Sequence, residues 1–282
     1  MKYRLGLYEK ALPLSLSFAE KFYEAKKAGF DYLELSVDET DEKLARLDWT
    51  AEDIKILRHA SEDAGVPILS ICLSGHRRFP LGDDDPAVRE RSLDIMQKAC
   101  EFALSIGARI IQIAGYDVYY KSSTEVTRAF FMENLVRSVE YSAETGVILA
   151  FETMETPFMN TVQKAMVWVQ KINSPWLKVY PDLGNITNAA KSEGGDVVQD
   201  LETGRGNIAA LHLKESRPGV FREVPYGTGH VDFNSACLAG RSLGVGLYVG
   251  EFWHKGEENW RDILRHNAAF LKNHLDVAYA DP

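Results

Sequence analysis

The sequence predicts a (β/α)8 barrel, and three observations predict it. A glycine followed at once by a short apolar run recurs along the chain: Gly29 in "AGFDYLELSV", Gly65 in "AGVPILSICLS", Gly107 in "IGARIIQIAG", Gly146 in "TGVILAFE" and Gly244 in "LGVGLYVGEF". The segment before most of these glycines carries apolar residues at mixed three and four spacing, which reads as a helix closed by a left-handed C-terminal residue. The unit returns every 30–40 residues or so and yields about eight strands, the pattern of a parallel barrel.

Each element follows from local signals. "YRLGLYE" is the first strand. Ser17 caps a helix over Ala19–Ala28, and Thr50 caps one running to Ala64. Helices over Pro86–Ile106 and Thr124–Thr145 precede Gly107 and Gly146. Two strands enter with other punctuation, "SPWLKVYPD" after Ser174-Pro175 and "NIAALHLKE" after Gly206. Helices over Val162–Ile172, Phe233–Leu243 and Asn259–Leu275 complete the series. The runs lack strict alternation, as expected of strands covered on both faces. An open doubly wound sheet would need a glycine-rich fingerprint after an early strand, and "LGLYEKALP" is not one. No linker divides the chain, so residues 1–282 read as a single barrel domain with a short loose tail around Ala278–Pro282.

Composition narrows the function. The 282 residues carry a formal net charge of −9, with 45% hydrophobic and 26% charged residues. A general nucleic-acid binder needs a basic surface, so that class is disfavoured. Cys72, Cys100 and Cys237 are far apart and form no CxxC, which argues against disulfides and zinc clusters. The N-terminus lacks a signal-peptide core, and no run reaches membrane-spanning length. A cytoplasmic protein is expected.

In a barrel of this kind, chemistry collects where the strands end at their C-terminal side. The fifth strand ends in Glu152, the sixth in Asp182, the seventh in His212 and the eighth in Glu251. Any one of these alone reads as a helix cap or an ion-pair partner. Four at equivalent places in successive units read as a site. Three converging carboxylates repel unless a cation lies between them. With one imidazole they form an oxygen and nitrogen donor set suited to one divalent ion, Mn²⁺, Zn²⁺, Co²⁺ or Mg²⁺.

The same face carries basic groups. "SGHRRFPLG" supplies His76, Arg77 and Arg78; Lys214 and Arg217 follow the seventh strand, and Lys10 follows the first. In an acidic chain these suggest a small phosphorylated, oxygen-rich substrate. Glu155 reads as a loop carboxylate beside the site, and His230 and His254 as loop residues on that face. His59, His266 and His274 read as surface residues of helices, Trp168 and Trp260 as core.

At these residues the chain resembles the xylose isomerase-like barrels, and within them the L-ribulose-5-phosphate (L-xylulose-5-phosphate) 3-epimerases of bacterial L-ascorbate and pentose catabolism. The stretches "LGLYEKALP", "ELSVDETDEKLARLDW", "SGHRRFPLG", "AGYDVYY", "YPDLGN" and "HLKESRPGVF" carry the resemblance over nearly the whole chain. It implies metal binding by Glu152, Asp182, His212 and Glu251, catalysis by Glu152 and Glu251, and a homodimer. Epimerases of free ketoses have a substrate-binding histidine where this chain has Asn185, which implies the phosphosugar branch. "KSEGGDVVQD" is longer than its counterpart in relatives.

The residues fit such chemistry independently. Inverting a carbon beside a ketone needs stabilisation of an enediolate, a base on one face and an acid on the other. An aldose–ketose isomerase or a dehydratase would use the same groups. An abasic-site endonuclease would want more histidines and a basic surface, and a non-catalytic sugar-phosphate binder would not need both glutamates.

Overall fold

Alternation along each strand decides what faces inward, and eight strands close on that inner face. The computed structural model describes residues 2–280. The strands are β1 (Arg4–Tyr8), β2 (Tyr32–Val37), β3 (Ile68–Leu73), β4 (Ile110–Ala114), β5 (Ile148–Glu152), β6 (Leu177–Tyr180), β7 (Leu211–Leu213) and β8 (Leu247–Gly250). They pair in parallel in the order β6-β5-β4-β3-β2-β1-β8-β7. Isolated parallel bridges, Val179 with Ile208 and Asp182 with His212, close the remaining seam.

The helices are α1 (Phe18–Ala28), α2 (Asp41–Leu44), α3 (Ala51–Ala64), α4 (Pro86–Ile106), α5 (Glu125–Thr145), α6 (Val162–Ile172), α7 (Leu183–Glu193), α8 (Val197–Thr203), α9 (Phe233–Ser242) and α10 (Trp260–Tyr279). Ser17 and Thr50 form the expected caps, each within a capping box. Gly29 and Gly107 close α1 and α4 at φ of 102° and 83°, a region that costs a side-chain-bearing residue strain. Asn173 takes the same role after α6.

Outward side chains such as Leu33, Leu35, Ile71 and Phe151 form the main core with the helices. Inward ones, among them Tyr8, Tyr32, Cys72, Ile110, Tyr180 and Val249, fill the barrel. Gly6 makes room for that filling. A Cβ there would lie 2.4 Å from the Tyr32 ring. The Tyr32 hydroxyl donates to the Tyr248 carbonyl at 2.9 Å, so the polar tip is satisfied inside.

Two expectations are corrected. The sequence showed no helix between β6 and β7, yet α7 and α8 lie there, and "KSEGGDVVQD" is the end of α7, a turn at Gly194-Gly195 and the start of α8. α7 is rich in Gly, Asn and Thr, poor helix formers, and its apolar stripe is reduced to Leu183, Ile186 and Ala189, so its helical signal is weak in the sequence. The tail is also shorter than expected. Ala278 and Tyr279 belong to α10, and Arg241 donates to the carbonyls of Ala278 and Ala280. The rest of the expected tail, Asp281 and Pro282, lies outside the described residues. No helix among the described residues is long and apolar enough to cross a membrane. The three cysteines are buried and unpaired.

Candidate metal centre

The period of two that builds the barrel also builds the site. Continuing inward from Ala150, Tyr180, Ala210 and Val249, the next inward positions are Glu152, Asp182, His212 and Glu251. All four are buried, and one donor atom from each lies within 4.8 Å of the others. His212 Nδ1 stands 3.0 Å from Glu251 Oε2, 3.6 Å from Glu152 Oε1 and 3.8 Å from Asp182 Oδ2.

Asp182 combines two duties. Its Oδ1 accepts from the Asn185 amide at 2.7 Å and caps α7. Its Oδ2 is buried, makes no well-aligned hydrogen bond, and has the Lys214 ammonium 3.1 Å away. Three carboxylates and an imidazole converging on one point, with one ammonium among them, fit a divalent cation.

The charges show the same demand. Burial, joined by the charges of Glu251 and Glu152, drives the Asp182 carboxyl well above its usual range against the pull of Lys214. Burial also opposes the charge of Glu251, but Lys214 and His212 outweigh it and hold that carboxyl well below its usual range. Carboxylates this close and this buried oppose one another's charge, a demand that a cation between them would meet. His212 is raised because Glu34 and Glu251 overcome its burial.

Above this cluster the cleft is lined by Tyr8, Lys10, Arg77, Glu155, Asn185, Lys214, Arg222 and Trp253, among others. Lys214 is buried, 3.1 Å from Asp182 Oδ2 and 3.0 Å from the Asn185 side-chain oxygen. Asn185 donates its amide to the Thr153 carbonyl, so both of its ends are engaged in holding the site. Lys10 pairs with Asp38. Arg77 stacks on Tyr119, 4.6 Å from the ring centroid, and its Nε is buried without a partner. Glu155 accepts from Tyr119 at 2.9 Å and from Arg222 at 2.8 Å. A larger, mostly apolar cavity of about 460 Å³ adjoins and shares Lys214 and Glu251. The donor cluster lies on the smaller, polar side.

Three expected substrate contacts lie elsewhere. His76 is buried with Nε2 on the Ser92 carbonyl at 3.1 Å, and burial lowers its pKa to about 4, so it brings no charge to the cleft. Arg78 points outward to Asp41 at 2.7 Å. Arg217 is exposed and ties its own loop through Thr228. His230 bonds Ser216 beside a separate cavity, and His254 lies near Glu257. His59 and His266 are exposed, as read from the sequence; His274 is half-buried against Asn234. Trp168 packs on Phe131 and Phe158, and Trp260 against the core.

Two residues escaped the sequence reading. Arg222 comes from an irregular loop with no periodic signal. Glu34 had one: a carboxylate in the middle of the apolar run "YLELSV".

The residues 22–274 match a family model described as the xylose isomerase-like TIM barrel. L-ribulose-5-phosphate 3-epimerase UlaE of Salmonella paratyphi C is 46% identical over 256 residues, covering 90% of this chain and 89% of that protein. The chain belongs to this family. The enzyme of the same description from Escherichia coli strain SMS-3-5 is 45% identical over the same shares. Among solved structures, D-psicose 3-epimerase with D-fructose superposes with a TM-score of 0.78 at 17% identity, over 96% of this chain and 99% of that one. That likeness bears on the fold. Family membership makes the protein a carbohydrate epimerase, an enzyme of the isomerase class.

Proposed function

We propose that the chain inverts C3 of a pentulose 5-phosphate, interconverting L-ribulose 5-phosphate and L-xylulose 5-phosphate with a divalent cation held by Glu152, Asp182, His212 and Glu251. The observation that carries this reading is the convergence of those four donors in a chain 46% identical to a named epimerase of that substrate. Zn²⁺ and Mn²⁺ suit the donor set best.

When bound, the cation supplies positive charge for the enediolate that forms as C3 loses its proton. Glu152 and Glu251 are the acid and the base. They end strands separated by β6 and β7, so they approach the shared centre from different sides. One removes the C3 proton from one face of the sugar, and the other delivers a proton to the opposite face. Asp182 and His212 serve as ligands only. Lys214, fixed by Asn185 and Asp182, presents a fixed positive charge to the sugar oxygens.

Lys10, Arg77 and Arg222 are the cleft cations that receive the phosphate. Arg77 retains an unused buried donor, and Arg222 can exchange Glu155 for a phosphate oxygen, a doubly charged and better-matched partner. Three buried, unpaired thiols support a cytoplasmic setting, in pentose and L-ascorbate catabolism, and a homodimer completes the reading.

Proton NMR of pentulose 5-phosphates in deuterated water with metal-loaded protein tests the reaction. Exchange at C3 with formation of the second epimer is expected. Exchange at C1 with aldose formation would make the protein an aldose–ketose isomerase.

A further inference from the structure

The proposed reaction leaves a buried carboxylate beside the donor cluster without a task. Glu34 lies in mid-β2, where Leu33 and Leu35 face the helices and Tyr32, Glu34 and Ser36 face the barrel interior. It is 0% exposed. Among the described residues no lysine or arginine reaches it; its ionic contact is His212 alone, with Oε1 2.6 Å from Nε2. Its Oε2 accepts from Ser70 Oγ at 2.6 Å and from the Tyr180 hydroxyl at 2.9 Å. A carboxylate in such a place is costly, and neutral hydrogen bonds offset only part of the cost.

The geometry of His212 gives that carboxylate a use. The imidazole spans two environments: Nδ1 faces Glu251, Glu152 and Asp182, while Nε2 faces Glu34. A neutral imidazole that offers its Nδ1 lone pair to a cation must carry its proton on Nε2. That proton then points at Glu34 Oε1, 2.6 Å from Nε2, which accepts it, so the contact selects that tautomer. Tyr180 stands edge-on to the ring, with centroids 4.9 Å apart, and limits its rotation.

We propose that Glu34 is a positioning residue. It holds His212 as the Nε2–H tautomer with Nδ1 aimed at the cation centre, and it makes the imidazole a stronger donor. It lies behind His212 on the barrel side and touches no substrate. This inference rests on the metal centre proposed above.

The test uses the full chain, stripped of metal and reloaded with Zn²⁺. Long-range 1H–15N spectra of 15N-histidine protein should show His212 protonated on Nε2 and ligated through Nδ1. The reverse arrangement overturns the inference without any variant. Glu34→Gln nearly preserves shape and removes the charge. Its Zn²⁺ affinity, read by competition with a chromophoric chelator, should fall on the order of 10–100-fold. Ser70→Ala removes a bond to the other oxygen and leaves the His212 contact, so its affinity should stay within about threefold of wild type, below the range expected for a lost outer partner. Equal affinity in wild type and Glu34→Gln, or equal losses in the two variants, overturns the role of Glu34 alone. A wild-type protein that takes up neither Zn²⁺ nor Mn²⁺ overturns the metal centre as well.

Discussion

Asp182 and His212 face each other across an isolated parallel bridge at the seam where the barrel closes. The His212 amide donates to the Pro181 carbonyl at 2.9 Å, and the Asp182 amide to Thr153 Oγ1 at 3.0 Å. Two of the four converging donors therefore sit at the join of the sheet that is made by isolated bridges instead of a continuous ladder. A cation bound there would clamp that seam.

Metal binding should accordingly stabilise the fold as well as enable turnover. Chelation is expected to abolish activity and lower the melting temperature, and Zn²⁺ or Mn²⁺ to restore both. His212→Ala should lose more than about 100-fold in metal affinity, beyond what an outer partner costs. Full turnover in a sample shown by elemental analysis to be metal-free would refute the proposal.

The two glutamates should part company in isotope exchange. Glu152→Gln and Glu251→Gln keep shape and a ligating oxygen but cannot carry the proton. Each should fold and lose turnover on the order of 10²–10⁴-fold. One variant should still exchange the C3 proton of one epimer with deuterated water, and the other that of the opposite epimer. Metal content is measured in both, since metal loss alone mimics the defect. Equal exchange of either epimer by both metal-replete variants would mean one base serves both faces.

The phosphate reading separates two sets of basic residues. Lys10→Ala, Arg77→Ala and Arg222→Ala should each raise KM for the phosphorylated sugar, and do less to the unphosphorylated one. Arg78→Ala and Arg217→Ala, whose side chains engage Asp41 and Thr228, should leave that preference unchanged. If none of the five alters that preference, backbone amides of the loops hold the phosphate instead.

Stability has its own buried charge. Glu9 is enclosed by Lys21 at 2.8 Å, Lys43 at 3.0 Å and Arg46 at 2.6 Å, and its Oε2 accepts from the Ser36 amide. Burial opposes its charge, but the three cations hold its carboxyl far below the ordinary value of 4.5. Its folded pKa is depressed, so its stabilisation is complete above the unfolded value and drains away as pH falls below it. Glu9→Gln leaves three buried cations uncompensated and should cost about 3–5 kcal/mol at neutral pH. Urea unfolding at pH 7 and pH 3 should show the gap between wild type and variant narrowing in acid.

The barrel and the donor set were legible because both obey a repeat. A glycine stop, a short apolar run and a carboxylate or imidazole at its end recur in register, so Glu152, Asp182, His212 and Glu251 could be found by equivalence. What lay off the repeat was not. α7 caps on Asp182 but is built largely from Gly, Asn and Thr, and its polar residues Asn185 and Asn188 serve the site and its loops. Arg78 and Arg217 looked equivalent to Arg77 in sequence; only the fold of the loops turns Arg77 to the cleft and the other two to solvent. Glu34 required knowing which strand faces lie opposite one another across the barrel.

The tyrosines packed inside the barrel have a kinetic consequence. Tyr32 fills the space opened by Gly6, and Tyr180 lies between it and the donor cluster, so the floor is sealed. The site opens toward the rim, onto the cleft and the cavity beside it. A finished sugar leaves on the side from which the next one arrives, and both occupy the same donor cluster. The two epimers are thus mutually exclusive guests, and each should act as a competitive inhibitor of the conversion begun from the other.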